Sequence, residues 1–322
     1  MRAPEFWNCN DPLSRFAAAL LAPVGSLYGA TVAWKAKNDV PWRAPVPVVC
    51  IGNLTAGGTG KTPIAIAVAN ALNALGRRPF FLSRGYGGTA HGPLLVVPEH
   101  SAAEVGDEPL LLAAAAPAIV SRDRPEGARL AVERGADVIV MDDGHQNFSL
   151  AKNLSIVVVD AAEGFGNGRI LPAGPLRETV RGGLARADAV ILMGDGSPPL
   201  DGFTGMVLRA RLEPADGPSL KGERVVAFAG IGRPEKFFRS LRDLGADIAA
   251  EVPFGDHHVY TADEIAGLKA KARGENALLV TTEKDHVRLG AAEREGIAVL
   301  RVKTVLDTAG LNRLLDTLRL PR

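Results

Sequence analysis

The sequence has almost no excess charge of either sign, because 37 Lys and Arg side chains stand against 36 Asp and Glu side chains, a formal net charge of +1. General nucleic-acid binders carry a strong basic excess or a basic stripe, so no nucleic-acid partner is expected. A local basic site for a phosphate is compatible with this balance. Over 322 residues, 47% hydrophobic and 23% charged residues are typical of a folded protein with one large domain or two ordinary ones.

Cysteine and tyrosine are scarce. The two cysteines, Cys9 and Cys50, have no metal-ligand spacing, which predicts free thiols in a reducing compartment. Three tyrosines among many Ala, Gly and Leu residues favour an α/β protein over a β-sandwich. No A-x-A-like cleavage site follows a compact apolar core, so no secretory signal is predicted.

Charged residues are missing from 16–34, and Arg15, Lys35 and Lys37 flank this stretch. The stretch is long enough to span a membrane, but it is mostly Ala and contains Pro23 and two glycines. We interpret 1–44 as a membrane-associated helical segment that is broken near Pro23. It is expected to lie on the membrane surface with its basic flanks toward anionic lipid. A core-packing helix pair and a true membrane span are the alternatives.

After residue 45, apolar strands alternate with helices. Uninterrupted apolar runs at 46–51, 137–141, 155–159 and 189–193 predict a parallel sheet covered on both faces. The stretch 195–222 is rich in Pro, Gly and Asp, so we place the domain boundary there. The prediction is a large domain at 45–205 and a smaller α/β domain at 206–322 that includes linker strands.

The strongest motif is the glycine-rich segment 56–62, which follows a strand and opens a helix. Successive amides in such a P-loop surround phosphate oxygens, with Lys61 reaching the β- and γ-phosphates and the Thr62 hydroxyl ligating Mg²⁺. The strict pattern has Gly where this chain has Thr55, but the strand–loop–helix context compensates. A structural glycine-rich turn is the alternative. The predicted nucleotide-binding residues are Thr55, Ala56, Gly57, Gly58, Thr59, Gly60, Lys61 and Thr62.

Two acids, Asp142 and Asp143, follow the apolar strand at 137–141. Such a strand delivers carboxylates to the carboxyl edge of the sheet, where ligands bind. One of the two is expected to hold Mg²⁺ directly or through water. An acidic strand end without a metal is the alternative.

Phosphoryl transfer also needs a base for the attacking hydroxyl, and the candidates are Asp107, His257, His258 and Glu178. Each alone is more often a solvated or capping residue, and Asp107 is equally well explained as a helix N-cap. The adjacent histidines suggest a metal site, but no further ligands at suitable spacing support it.

The segment 52–63 resembles the P-loop of the tetraacyldisaccharide 4'-kinases (lipid A 4'-kinases), including Asn53 and Pro63, which ordinary P-loops lack. Seven further blocks occur in the order typical of that family, and together they are far more specific than any one block. These blocks are 83–88, 105–109, 142–146, 171–178, 229–234, 256–258 and 281–285.

This resemblance implies transfer of the γ-phosphoryl group of ATP, with Mg²⁺, to the 4'-hydroxyl of a tetraacyldisaccharide 1-phosphate. It implies a two-domain, P-loop NTPase-type α/β fold with an N-terminal membrane-associated helix, peripheral on the cytoplasmic face of the inner membrane. Asp107 resembles the general base, His257 its partner, and Arg177 a residue facing the transferring phosphate. The implied phosphate and metal residues are Lys61, Thr62, Asp142, Asp143 and Glu178.

One departure from the family pattern is His145, where an aromatic residue such as Phe is frequent. A planar ring is kept, so we expect a change in packing or contacts without loss of activity.

Two other functions compete with a kinase. A P-loop GTPase or metal-insertion NTPase would read guanine with T/N-K-x-D, but the block 282–285 has its Lys one position too late. A membrane-bound nucleotide sensor would keep the P-loop and have no need of Asp107.

Overall fold

The computed structural model describes residues 4–7, 11–215 and 220–318, so Cys9 lies outside the described residues. A short 3-10 turn, Glu5–Trp7, precedes the first helix. The strands are β1 (Val48–Gly52), β2 (Pro79–Ser83), β3 (Leu94–Leu95), β4 (Ala118–Val120), β5 (Val138–Asp142), β6 (Leu154–Asp160), β7 (Ala189–Met193), β8 (Met206–Pro214), β9 (Arg224–Ala229), β10 (Asp247–Pro253), β11 (Leu278–Thr282), β12 (Ile297–Leu300) and β13 (Val302–Leu306). The helices are α1 (Pro12–Asn38), α2 (Lys61–Ala74), α3 (Ala102–Val105), α4 (Asp107–Ala113), α5 (Arg124–Glu133), α6 (Val180–Leu184), α7 (Pro234–Asp243), α8 (Ala262–Gly274), α9 (Glu283–His286), α10 (Ala291–Arg294) and α11 (Thr308–Asp316).

The larger unit is a nine-stranded sheet in the order β13-β8-β7-β6-β1-β5-β2-β4-β3. Its seven inner strands are parallel, and β13 and β3 pair antiparallel at the two edges. Every residue of β1, β5, β6 and β7 is buried, as expected for strands covered on both faces.

Side chains alternate between the two faces of this sheet. On one face, Val49 and Ile51 of β1 share a core with α2, α4 and α11. On the other face, Val48 and Cys50 pack in a core with residues of α5. The large sheet is therefore a three-layer α/β structure.

The strands that carry the motifs end side by side. β1 and β5 are parallel neighbours, and Ile51 lies in register with Asp142. The loop after β1 and the acids at the end of β5, Asp142 and Asp143, therefore lie at the same carboxyl edge, which is where parallel α/β sheets bind ligands.

The smaller unit is a four-stranded parallel sheet in the order β10-β9-β11-β12. The apolar face of α7, with Phe237 and Leu241, covers one side of β9. Ile265 and Leu268 of α8 cover the other side, against Phe228. This unit has its own hydrophobic core.

The sheets divide the chain differently from the predicted boundary at residue 206. β8 extends the large sheet beside β7, and β13 returns to pair with β8 after the smaller sheet is complete. Leu311 and Leu314 of α11 also lie in the core of the larger unit. The reason is that β8 and β13 are half-exposed, so they carry too few apolar residues to reveal which sheet they join. We propose that the smaller domain begins with β9 and ends with β12.

The N-terminal helix α1 is continuous, so the predicted break near Pro23 is wrong. A proline inside a helix removes one backbone hydrogen bond, and here the helix continues through that loss. Ala18, Gly25, Gly29 and Val32 form its buried face, and a Cβ at Gly25 would lie 2.7 Å from the Ile170 carbonyl oxygen.

The opposite face of α1 exposes a line of large apolar side chains: Leu13, Phe16, Leu20, Val24, Leu27 and Trp34. Among the described residues, α1 is the one helix long and apolar enough to cross a membrane.

Candidate active site

The loop between β1 and α2 has the backbone of a phosphate-binding loop. Gly57 and Gly60 have φ of 108° and 87°, a region that favours glycine, and Gly60 caps α2. Asn53 holds the loop from beneath, since its Nδ2 donates to the Thr55 carbonyl at 2.7 Å and to the Thr59 hydroxyl at 3.1 Å. A Cβ at Gly57 would meet nothing within 4 Å, so the loop has open space beside it.

The Thr62 side chain meets the first acid of β5. Its hydroxyl donates to Oδ2 of Asp142 at 3.1 Å, and both side chains are buried. The other oxygen of Asp142, Oδ1, is buried without a hydrogen-bond partner in the described part of the chain. Burial raises the pKa of Asp142 to about 7, the negative charge of Glu108 adds to this, and the positive charge of Lys61 opposes it.

Asp143 lies between two cations. Lys61 Nζ is 3.6 Å from its Oδ1, and Nη1 of Arg177 donates to both of its oxygens at 2.9 and 3.0 Å. Burial would raise the pKa of Asp143, but the charges of Lys61 and Arg177 outweigh it and lower the pKa to about 2. Asp143 is therefore ionised and orients both cations toward the loop edge of the sheet.

Glu178 is buried in a separate pair of contacts. Arg186 Nη2 lies 2.7 Å from each of its carboxylate oxygens, and Gln146 Nε2 donates to Oε1 at 2.9 Å. Gln146 also donates to the Asn53 carbonyl at 3.0 Å. The carboxylate is thus tied to the strand end from which the P-loop starts.

His145 is fully buried behind the P-loop. Its ring nitrogens lie 3.1 Å from the Ser155 hydroxyl and 3.0 Å from the Gly183 carbonyl. Burial lowers the pKa of His145 to about 3, with the charges of Lys152 and Arg186 adding to the effect, so the ring is neutral at ordinary pH. The imidazole fills a buried position and contacts polar groups through both ring nitrogens.

Asp107 and His257 meet across the two units. His257 Nδ1 lies 3.0 Å from Oδ2 of Asp107, and the Asp107 side chain is 3% exposed. Arg288 from the smaller unit donates to the same oxygen through Nε at 2.7 Å and through Nη2. Burial would raise the pKa of Asp107, but the hydrogen bond to His257 and the charges of Lys284 and Arg288 hold it well below its usual value.

Further contacts join the smaller unit to this edge. Lys284 pairs with Glu108 at 3.0 Å, and Tyr86 packs edge-on against His257 with ring centroids 5.4 Å apart. Arg233 donates through Nη2 to the Gly58 carbonyl of the P-loop at 3.1 Å and pairs with Asp160 at 2.9 Å. Asp107, His257 and the P-loop therefore lie along one interface between the two units, which we call the cleft.

The structure separates His258 from this group. Its Nε2 lies 3.1 Å from both carboxylate oxygens of Glu264, and its ring stacks on Phe254 at 4.7 Å. Within residues 4–7, 11–215 and 220–318 no cluster of three or more His, Cys, Asp or Glu side chains forms a metal site.

Three residues of the cleft were missed by the sequence analysis: Arg233, Lys284 and Arg288. Two of them lie inside the family blocks, Arg233 in 229–234 and Lys284 in 281–285, where each is the single cation of its block. Arg288 lies three residues beyond Asp285, and its partner Asp107 is 181 positions away, so no local pattern indicates it.

Comparison with known proteins identifies the family. The model of the LpxK family, described as tetraacyldisaccharide-1-P 4'-kinase, matches residues 17–319. The tetraacyldisaccharide 4'-kinase of Paramagnetospirillum magneticum is 52% identical over 317 residues, covering 97% of this chain and 96% of that protein. The enzyme of the same name from Methylorubrum extorquens is 54% identical over 310 residues, with 94% of each chain covered.

A solved structure agrees with these relatives. The "apo" form of LpxK from Aquifex aeolicus, in complex with ATP, matches with a TM-score of 0.78 and 29% identity over 94% of this chain and 99% of that chain. The predicted P-loop-type α/β fold and the resemblance inferred from the sequence blocks are both confirmed. This chain belongs to the LpxK family of tetraacyldisaccharide-1-P 4'-kinases.

Proposed function

We propose that this protein transfers the γ-phosphoryl group of ATP to the 4'-hydroxyl of a tetraacyldisaccharide 1-phosphate, in the biosynthesis of lipid A. Membership of the kinase family and the ATP complex of the relative from Aquifex aeolicus support this function. The observation that carries it is the Asp107–His257 contact in the cleft that the P-loop also borders, since Arg233 of the smaller unit touches the Gly58 carbonyl.

The P-loop is proposed to hold the phosphates of ATP. The amides of 55–62 surround phosphate oxygens, and the amino end of α2 favours their negative charge. Lys61 binds the β- and γ-phosphates after exchanging its long contact with Asp143, which is 3.6 Å in this structure. Arg177, which donates a hydrogen bond to Asp143, faces the phosphoryl group during its transfer.

The residues present fit a magnesium ion. Mg²⁺ in such sites takes one or two protein oxygens and completes its shell with phosphates and water. The buried Oδ1 of Asp142 lacks a partner among the described residues, and the Thr62 hydroxyl adjoins the same carboxylate. Mg²⁺, when bound, neutralises charge on the β- and γ-phosphates. Asp143 and Glu178 would join its shell only by exchanging their partners Arg177 and Arg186.

Asp107 is proposed to act as the general base. A loose phosphoryl-transfer transition state demands little early deprotonation, so a carboxylate is basic enough to take the hydroxyl proton. The 4'-oxygen forms the new bond to the γ-phosphorus, the bond from that phosphorus to the β–γ bridging oxygen breaks, and ADP leaves. His257 orients Asp107 through the contact between its Nδ1 and Oδ2 of Asp107. This contact forms only when the smaller unit lies against α4.

The N-terminal helix is proposed to place the enzyme on the cytoplasmic face of the inner membrane as a peripheral protein. The exposed apolar line of α1 enters the lipid, and Lys35 and Lys37 at its last turn face anionic headgroups. The acyl chains of the acceptor then stay in the bilayer while its sugar reaches the cleft.

The test is incubation of the purified protein with γ-labelled ATP and the disaccharide 1-phosphate in mixed micelles. The label is expected at the 4' position, and an acceptor already phosphorylated there should receive none. Release of the label only as inorganic phosphate, at one rate with and without acceptor, would overturn the proposed function.

A further inference from the structure

Arg288 is the most completely engaged cation of the cleft. It follows α9 in the smaller unit, and its side chain is 5% exposed. Nε and Nη2 donate to Oδ2 of Asp107, while Nη1 donates to the Gly230 carbonyl at 2.6 Å and to Oδ1 of Asp285 at 2.8 Å. Three nitrogens of one planar fork therefore join a carboxylate of the larger unit to the frame of the smaller one.

The frame behind Arg288 is fixed independently of Asp107. Asp285 is fully buried and accepts from the Gly230 amide at 2.9 Å, the Tyr260 hydroxyl at 2.9 Å and the Thr282 hydroxyl at 2.6 Å. Since Asp285 already has these donors, it holds one side of the Arg288 fork in place. Contacts within the smaller unit therefore set the orientation of the Arg288 guanidinium.

The two oxygens of Asp107 are treated differently. Oδ2 accepts from His257 and from two nitrogens of Arg288, so its lone pairs are occupied. Oδ1 accepts one hydrogen bond, from the Glu108 amide at 2.8 Å. The oxygen with remaining acceptor capacity for a sugar hydroxyl is therefore Oδ1.

We propose that Arg288 is a positioning residue for phosphoryl transfer: it turns Asp107 so that Oδ1 receives the proton of the acceptor hydroxyl, and it does so only when the smaller unit is docked. The inference rests on the proposed function and deepens it. The titratable and charged groups that face Asp107 are Arg288, His257, Lys284 and the neighbouring Glu108. If Arg288 only joined the two units and had no part in the reaction, it would make the same contacts. The test must therefore separate a positioning role from a structural one.

The experiment compares Arg288→Met and Arg288→Lys in the full chain, each alone and combined with Asp107→Asn. Arg242→Met is the matched control, because Arg242 is an exposed arginine of the same unit that pairs with Glu251. Turnover, the pH profile of kcat/KM, affinity for a non-hydrolysable ATP analogue and Tm are measured for each.

With Arg288→Met we expect turnover to fall about 100-fold, because a displacement of the base by about 1 Å lowers the rate of the reaction by that factor. The affinity for the ATP analogue should stay unchanged. The acid limb of kcat/KM should move to higher pH, since the guanidinium that keeps Asp107 ionised is gone. In the Asp107→Asn background the same change should have no further effect on turnover, because both act through one group. Arg288→Lys keeps the charge and should recover part of the rate.

The proposal is overturned if the losses from Arg288→Met and Asp107→Asn multiply, or if turnover and nucleotide affinity fall together. Should Arg288→Met fail to fold, the charge-keeping Arg288→Lys decides: full activity with an unmoved acid limb overturns the proposal, and a reduced rate at unchanged Tm supports it. An inactive wild-type protein would instead contradict the proposed function, so the two failures are distinguishable.

Discussion

His257 Nδ1 lies 3.0 Å from Oδ2 of Asp107, although the two residues are 150 positions apart and belong to different sheets. Asp107 opens α4, which packs on the large sheet, whereas His257 follows β10 of the smaller one. The pair therefore exists because the two units are in contact. The proposed role of Asp107 as an oriented base depends on this contact.

Replacing His257 tests the contact directly. His257 has φ of 55°, so His257→Asn is suitable, because Asn tolerates this backbone region. We expect turnover to fall about 10-fold to 100-fold, since the imidazole that orients Asp107 is removed, with little change in KM for ATP. Steady-state kinetics measure both.

The matched control is His258→Asn. His258 is the next residue, yet it pairs with Glu264 and stacks on Phe254, away from Asp107. It should retain most of the activity. Equal losses in the two variants would mean that the segment matters only for packing.

Gly60→Ala tests the phosphate-binding loop. Gly60 has φ of 87°, which strains any residue with a Cβ, and that Cβ would also lie 2.9 Å from Cε of Met193, so the end of the Met193 side chain must move. The strained backbone costs about 1–3 kcal/mol, and we expect at least roughly a tenfold loss of affinity for ATP in isothermal titration. Gly76→Ala is the control, because Gly76 has φ of 75° with nothing within 4 Å of its Cβ and lies at the far end of α2. It should lower Tm and leave ATP affinity intact.

The sequence predicted those parts of the site that lie within one strand–loop–helix segment. The loop 55–62 and the acids at the end of β5 could be predicted from the local sequence. A parallel strand that ends in glycines or carboxylates places them at the carboxyl edge of the sheet, where ligands bind. The tie between Arg288 and Asp107 did not follow, since it depends on how two units pack. The path of β8 and β13 was missed for the same reason, and the continuity of α1 through Pro23 reflects packing on Ile170 that no local rule contains.

The exposed face of α1 predicts membrane binding. Leu20 and Leu27 are each 70% exposed on this face, and burying a leucine in an apolar phase is worth about 1.5–3 kcal/mol. The double variant Leu20→Glu, Leu27→Glu should co-sediment with anionic phospholipid vesicles at least roughly tenfold less than the wild type.

Leu75→Glu serves as the control for that variant, because Leu75 is an exposed leucine at the end of α2. It should sediment like the wild type. If the α1 double variant also binds vesicles as the wild type does, α1 is not the membrane-binding element.

His145 predicts how stability depends on pH. Its pKa is about 3 in the folded protein, against an ordinary value of 6.5, so between these values the unfolded chain takes up a proton that the folded protein does not. Stability from this group is complete above 6.5 and is lost as pH falls, by about 1.4 kcal/mol per pH unit. In the window from about pH 4.5 to 6.5, Asp142 has the opposite effect, because its raised pKa makes the folded protein take up a proton that the unfolded chain does not. The contribution of His145 is therefore the difference in slope between the wild type and His145→Phe.

Urea unfolding with EDTA present measures this slope. His145→Phe should lower this slope by about 1.4 kcal/mol per pH unit whatever the absolute stability of the variant, while His91→Phe at an exposed position should keep the wild-type slope. A His145→Phe slope equal to that of the wild type would assign the acid sensitivity to other groups.

The most direct test of the account is a single-turnover measurement on Asp107→Asn with ATP already bound and the acceptor added. Asparagine cannot accept the hydroxyl proton, so the transfer rate should fall by about 10²-fold to 10⁴-fold while the affinity for ATP is kept. A transfer rate equal to that of the wild type, or a loss of ATP binding as large as the loss of rate, would contradict the assignment of Asp107 as the base.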